Sequence, residues 1–212
     1  MTIVSIKQDA GGELRRMELS DGSLFSFKTC YLPPVCEDES LCGPGAEGLE
    51  ISAAEEEGFR FASSCLRAEK AALRLIARAE QNVFGLARKL EKRGHDAACC
   101  GAVVSRLCGL GLLDDSRYAR LWLESAVNRQ AASPRRLLAG LRSRRISRKD
   151  AEDALRAVLD EGGELRLLER YVQKILRKSK TAGGGEGDSR RLKYLLKGEG
   201  FSSAAVRDFF DE

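Results

Sequence analysis

Three stretches of this chain repeat one another, and that repetition restricts the fold more than any other feature. They are NVFGLARKLEKRGHD (82–96), SPRRLLAGLRSRRIS (133–147) and DSRRLKYLLKGEGFS (188–202), offset by 51 and 55 residues. Leu86, Leu137 and Leu192 coincide, as do Leu90, Leu141 and Leu196, and then His95, Ile146 and Phe201. Each stretch opens on Asn82, Ser133 or Asp188 and closes on Asp96, Ser147 or Ser202. All six are residue types whose side-chain oxygen accepts an orphan N–H at a helix start. Pro134 follows Ser133 at the first helical position, where a missing N–H is harmless. Leucines in phase between two cap positions predict a helix, a short turn and a second helix in each copy.

The second helices align as well: Val103, Ala154 and Phe209 share one position, and Val104, Leu155 and Phe210 the next. Ile146 with Ala151, and Phe201 with Val206, are spaced to staple the turns. A helix is expected before each copy, over about 66–80, 115–128 and 164–178. The chain therefore reads as mainly α, with three tandem three-helix repeats over 59–109, 110–162 and 163–212. A unit of about 50 residues cannot close a core alone, so neighbours are expected to stack into an elongated, curved body.

Residues 1–58 read differently. IVSI is a short apolar run, and Asp21-Gly22 sits between two strand-like segments as a hairpin turn would. Residues 32–58, with Pro33, Pro34 and Pro44, predict a loop and a short acidic helix from Ser52. The glycine run TAGGGEG (181–187) lacks the Lys-Ser/Thr of a phosphate-binding loop and reads as a connection between helices.

Charge is divided along the chain. Residues 1–58 carry four Lys/Arg against twelve Asp/Glu, a net −8, and residues 59–212 a net +12. A basic body points to a polyanionic or acidic partner, or else to a solvated helical surface. No apolar run is long enough to span a bilayer and the N-terminus lacks a signal-peptide pattern, so a cytoplasmic protein is expected. The seven cysteines (Cys30, Cys36, Cys42, Cys65, Cys99, Cys100 and Cys108) are odd in number, which argues for reduced thiols. Cys30, Cys36 and Cys42 lack the close pairing of zinc ligands, and the single histidine, His95, lies far away. No metal, cofactor or catalytic constellation is expected, and no enzyme.

Asp114 and Asp115 are the one carboxylate pair that invites chemistry. With Asp114 as N-cap, Leu113 and Tyr118 fall at stapling positions, and Asp115 meets the positive end of the helix dipole. Tyr118, Leu121 and Trp122 then share an apolar face. A helix start explains both aspartates. The arginines are harder to explain. Arg135-Arg136 and Arg190-Arg191 occupy equivalent first-turn positions, where cations oppose the dipole. Arginines at a helix N-terminus make a natural anion site. Arg142, Arg144, Arg145, Arg148 and Lys149 lie just downstream, and Lys193 beside the second pair. This set is the candidate surface for a protein or nucleic-acid partner.

The segment GLLDDSRYARLWLE, followed about 20 residues later by SPRRLLAGLRSRRIS, resembles the RecX family of bacterial recombination regulators. The hallmark G-[YL]-[LI]-D-D-x-x-[YF]-A is matched by Gly111, Leu112, Leu113, Asp114, Asp115, Tyr118 and Ala119. A second hallmark, G-x-x-R-I-x-x-E-L-x-x-K-G-I, is met by Arg136, Leu137, Leu141 and Ile146 but not by Ser133, Gly140 or Arg145. Arg145 is the sharpest departure, since Gly94 and Gly200 hold that position in the other repeats and a helix end there favours a left-handed glycine. The resemblance covers about 66–212. It implies a monomeric, non-enzymatic modulator of homologous recombination and DNA repair in the SOS response. Such a protein would bind the RecA–DNA filament and limit RecA's ATPase and strand exchange. Read from the residues alone, each second and third helix could also form a helix-turn-helix of a stand-alone DNA-binding regulator.

Overall fold

The computed structural model describes residues 1–9, 11–36, 39–43, 45–160, 162–178 and 186–211. The glycine run falls largely outside the described residues. Strands β1 (Ile3–Gln8), β2 (Leu14–Leu19) and β3 (Leu24–Lys28) form an antiparallel meander in the order β1-β2-β3. Asp21-Gly22 makes the expected turn: Gly22 has φ +85° and its N–H reaches the Leu19 carbonyl at 2.9 Å. Side-chain alternation sends Met17 and Leu19, then Phe25 and Phe27, to the inner face, with Met17 opposite Phe25. The free edge of β1 is covered by residues 48–51, where Ile3 N–H bonds the Leu49 carbonyl at 3.0 Å and Ile51 N–H the Met1 carbonyl at 2.7 Å.

One four-residue turn, α1 (Glu39–Cys42), precedes the long helix α2 (Ala53–Ile76). Ser52 and Glu55 start α2 with a capping box, Ser52 accepting from Glu55 N–H at 3.2 Å and Glu55 Oε2 from Ser52 N–H at 2.6 Å. The short acidic helix expected from Ser52 is thus the first third of one continuous helix. The boundary drawn between residues 58 and 59 falls inside it. Gly58 lies inside α2 because its backbone presses on the preceding loop; a Cβ there would collide with Cys36 Sγ and Pro33 Cγ. Phe59, one residue on, packs its ring at a tilt against that of Phe27, with centroids 5.1 Å apart.

With α3 (Val83–Glu91) and α4 (Ala97–Gly109), α2 shares a single core with the sheet, in which Phe27, Phe59, Leu86, Leu90 and Leu107 are fully buried. A charge cluster fastens the sheet to the helices. Glu69 of α2 is only 3% exposed, and its carboxylate lies 3.1 Å from Lys28 Nζ of β3 and 3.8 Å from Arg106 Nε of α4. Lys28 also meets Glu13 at 3.0 Å. Burial alone would lower the Lys28 pKa, but the hydrogen bonds and charges of Glu13 and Glu69 raise it on balance. Residues 1–113 are one compact unit.

Residues 114–212 are the other. It contains α5 (Asp115–Arg129), α6 (Pro134–Arg142) and α7 (Arg148–Val158), then α8 (Gly163–Lys178), α9 (Glu186–Glu199) and α10 (Ser203–Asp211). Leu123, Leu137 and Leu141 of the first trio lie in one cluster with Leu167, Leu168, Leu196 and Phe201 of the second. The phased leucines at the second positions, Leu90, Leu141 and Leu196, are all fully buried.

The caps follow the repeat. Asp96 accepts from Ala98 N–H at 2.8 Å, Ser133 from Arg136 at 3.3 Å, Ser147 from Asp150 at 3.0 Å and Ser202 from Ala205 at 3.1 Å. Asn82 occupies the N-cap of α3 in an extended conformation, but its side chain makes no capping hydrogen bond there, unlike the expectation. Asp188 departs from the pattern: α9 starts at Glu186, which puts Asp188 inside the helix. Each second helix also ends alike. His95, Ile146 and Phe201 N–H groups return to the carbonyls of Leu90, Leu141 and Leu196 at 3.2–3.3 Å. The residue before each is left-handed: Gly94 at φ +84°, Arg145 at +62° and Gly200 at +99°. This is the Schellman ending, and Arg145 is the one non-glycine with positive φ among the described residues.

Candidate functional site

Asp114 is the N-cap of α5, and its carboxylate accepts from Arg117 N–H at 2.9 Å. That bond holds its pKa below the usual aspartate value, with burial opposing and nearby arginines assisting. Asp115 lies in the first turn. Leu113 is buried in the core of the first unit, while Tyr118 packs against that of the second and Ala119 is fully buried within it. The apolar face is Tyr118, Ala119, Trp122, Leu123 and Ala126. Leu121, expected on it, is 46% exposed, because it lies two positions from both Ala119 and Leu123, about 200° round the helix from each of these buried residues. Among the described residues no three His, Cys, Asp or Glu side chains are grouped to hold a metal ion. His95 is half-buried at its turn.

Trp122 explains one departure from the second hallmark. Its ring lies over Gly140, where a Cβ would strike Cη2 and Cζ2. The Arg144 guanidinium sits 4.6 Å above the same ring and Nη1 donates to the Gly140 carbonyl at 2.7 Å. Arg144 is therefore a packing group of the α6 C-terminus as much as a surface cation.

The dipole conflict at Arg135 and Arg136 is resolved inside the fold. The C-terminus of α9 meets the N-terminus of α6. Arg135 Nη2 donates to the Gly198 carbonyl, Arg136 Nε lies 2.6 Å from Glu199 Oε2, and the buried Ser133 Oγ donates to the Glu199 carbonyl at 2.7 Å. The negative end of one helix thus faces the positive end of the other, and cations bridge the two. Tyr171 of α8 joins them: burial raises its pKa, and so does its hydrogen bond to the Glu199 carboxylate. The contact is reciprocated, since Arg170 of α8 donates to the carbonyls of Val127 and Asn128 at the end of α5, at 2.8 and 3.0 Å. Local spacing carries no sign of Arg170 or Glu199, because these partners are 42 and 63 residues from the groups they meet.

The other expected cations remain at the surface. Arg142, Arg145, Arg148 and Lys149 are exposed around the α6–α7 turn. Arg148 Nε pairs with Glu152 at 2.7 Å. Leu138, Arg142, Arg148, Ala151 and Glu152 line a groove of about 370 Å³. Arg190 and Arg191 are exposed on α9, and Lys193 Nζ lies 4.6 Å over the Phe210 ring. Arg135 and Arg136 are not gathered with Arg190 and Arg191, although they are equivalent in the repeat.

Capped three-helix modules, two of them sharing a core, define a helical-repeat protein. Residues 114–155 match the model of the second three-helix domain of RecX. The chain is 39% identical over 147 residues to "Regulatory protein RecX" of Treponema pallidum, spanning 69% of this chain and 85% of that protein. To the protein of that name from Halorhodospira halophila it is 34% identical over 140 residues, 65% of this chain and 82% of the relative. Among solved structures, the "Crystal structure of regulatory protein RecX" superposes on 100% of this chain and 99% of its own with a TM-score of 0.76 at 19% identity. RecX from Lactobacillus salivarius covers 71% of this chain and 96% of its own with a TM-score of 0.61 at 18% identity. The chain belongs to the RecX family of regulatory proteins.

Proposed function

We propose that this protein binds the RecA–DNA filament and restrains RecA's ATPase and strand exchange, acting by contact and not by catalysis. Family membership supports the reading, and the observation that carries it is the α6–α7 turn. There Arg142, Arg145, Arg148 and Lys149 are exposed within the very segment that matches the family model. A turn of this composition, beside a groove lined by Leu138, Ala151, Arg142, Arg148 and the Glu152 that pairs with Arg148, suits an acidic protein surface or a phosphate backbone. Arg135 and Arg136 are exposed as well but are already engaged by the end of α9, so the proposed contact is centred on the α6–α7 turn.

The test is RecA ATPase on single-stranded DNA. Excess protein is expected to lower the rate, and Arg142→Glu with Lys149→Glu to relieve that inhibition. No effect of the wild type at excess sinks the reading. A gel-shift comparison of duplex, single strand and RecA filament separates the rival reading. A stand-alone helix-turn-helix regulator would bind a particular duplex sequence without RecA.

A further inference from the structure

Helix α9 carries a feature that neither the repeat nor the family hallmarks contain. Leu196 is fully buried and Leu192 packs beside it, so they fix the inner face. At about 100° per residue, the centre of the opposite face falls on position 194. Tyr194 stands there and is 74% exposed, the most exposed aromatic among the described residues. Its neighbours on the helix surface are Arg190 at i−4, Arg191 at i−3 and Lys197 at i+3, all exposed. From Ser189 to Gly198 there is no carboxylate. Glu199, which follows, is turned inward to Arg136 and Tyr171. Equivalent outer positions in the other repeats are Arg88 and Ala139, so the aromatic is particular to this helix.

An exposed tyrosine costs solubility and contributes little to a fold, and an acid-free ring of cations raises α9's self-repulsion. Both are accounted for by a ligand with a planar π-face and a regular negative charge. A nucleic-acid single strand has both, because its bases are unstacked while its phosphates remain close by. A duplex hides its base faces; a protein surface of carboxylates and apolar groups is the competing occupant, and it would leave oligo-dT binding unchanged in Tyr194→Ala. We infer that the outer face of α9 binds single-stranded nucleic acid, with Tyr194 stacking on a base and Arg190, Arg191 and Lys197 meeting the flanking phosphates. The inference stands apart from the RecA reading, because it concerns the chain alone.

The experiment is fluorescence anisotropy of a labelled oligo-dT titrated with the full chain in the absence of RecA. Tyr194→Ala is expected to weaken binding by about tenfold, the usual effect of losing one stacked base. Tyr194→Phe keeps the ring and should bind within about twofold of wild type, while Tyr194→Leu, apolar but not planar, should behave as Ala. Arg190→Ala with Arg191→Ala should reduce the salt dependence, by a slope of about 0.7 for each phosphate no longer neutralised, whereas Tyr194→Ala leaves the slope unchanged. Circular dichroism melting is expected to be the same for all, since these side chains are exposed. The inference is overturned if Tyr194→Ala or Tyr194→Leu binds as wild type, or if duplex of equal length binds more tightly. Loss of oligo-dT binding with RecA inhibition retained separates this site from the one proposed above.

Discussion

Arg145 holds a backbone conformation that L side chains rarely adopt, and its repeat equivalents are Gly94 and Gly200. The structure therefore contains its own control. A left-handed L residue costs about 1–2 kcal/mol, since Cβ crowds the following carbonyl. Arg145→Gly removes that cost but gives the unfolded chain more freedom, a loss of about 0.4–1 kcal/mol. The expected net gain is about 0.5–1 kcal/mol. In a unit of about 100 residues this raises Tm by roughly 3–6 °C. The assay is thermal and urea unfolding followed by tryptophan fluorescence. Trp122 is the only tryptophan and lies in the second unit, so the signal reports that unit. Arg145→Asn, which also tolerates positive φ, should stabilise part of the way, and Arg145→Lys should change nothing. In the opposite direction, Gly94→Ala meets open space and should cost the strain alone, about 1 kcal/mol. Gly200→Ala should cost more, because the new Cβ also meets the Arg135 side chain. If Arg145→Gly leaves the Trp122 transition in place or lowers it, the left-handed ending is not where the strain resides. If Arg145→Gln, uncharged but still an L side chain, stabilises as well as Gly, charge and not backbone geometry is responsible.

Two further outcomes follow from single contacts. Gly140→Ala would gain about 1 kcal/mol from helix propensity, yet is expected to destabilise by about 1–2 kcal/mol because its methyl strikes the Trp122 ring; in a Trp122→Leu background, followed by circular dichroism, the same change should become stabilising. Asp114 has a lowered folded pKa, so its capping stability is present above the unfolded value of about 3.9 and is lost as pH falls through the lower folded value. Urea midpoints of Asp114→Asn, which still caps, should lack that acid-side slope, and a slope equal to wild type would remove Asp114 as its source.

The candidate site is legible in part from the chain alone. The cations at 142–149 are contiguous in sequence and exposed, so reading them as a surface needs only helix periodicity. Arg135 and Arg136 stand against their own helix dipole in the sequence, but the partner that satisfies them comes from α9. Tyr194 escapes notice in the sequence, because tyrosine in a leucine-rich helix reads as core. The phase of Leu192 and Leu196 already sets it on the opposite side, but only the structure shows that side left uncovered, with Tyr194 74% exposed.

What the sequence by itself determined is local. Cap residues, phased leucines, the Asp21-Gly22 turn and the glycine-or-arginine ending each act over three to six residues, where hydrogen-bond geometry and helical period leave few alternatives. Hence the repeat can be read from the chain, down to the unusual Arg145. What only the tertiary structure decided is how those pieces share surfaces. The sheet joins α2–α4 through Phe27, Phe59 and buried Glu69, and Gly58 continues a helix because a loop presses against it. The second and third repeats close one core and exchange Arg135 and Arg170 across their helix ends. These outcomes depend on contacts between residues far apart in the chain. Such contacts form only where whole apolar faces and helix dipoles can be matched at once, and no local pattern records that matching.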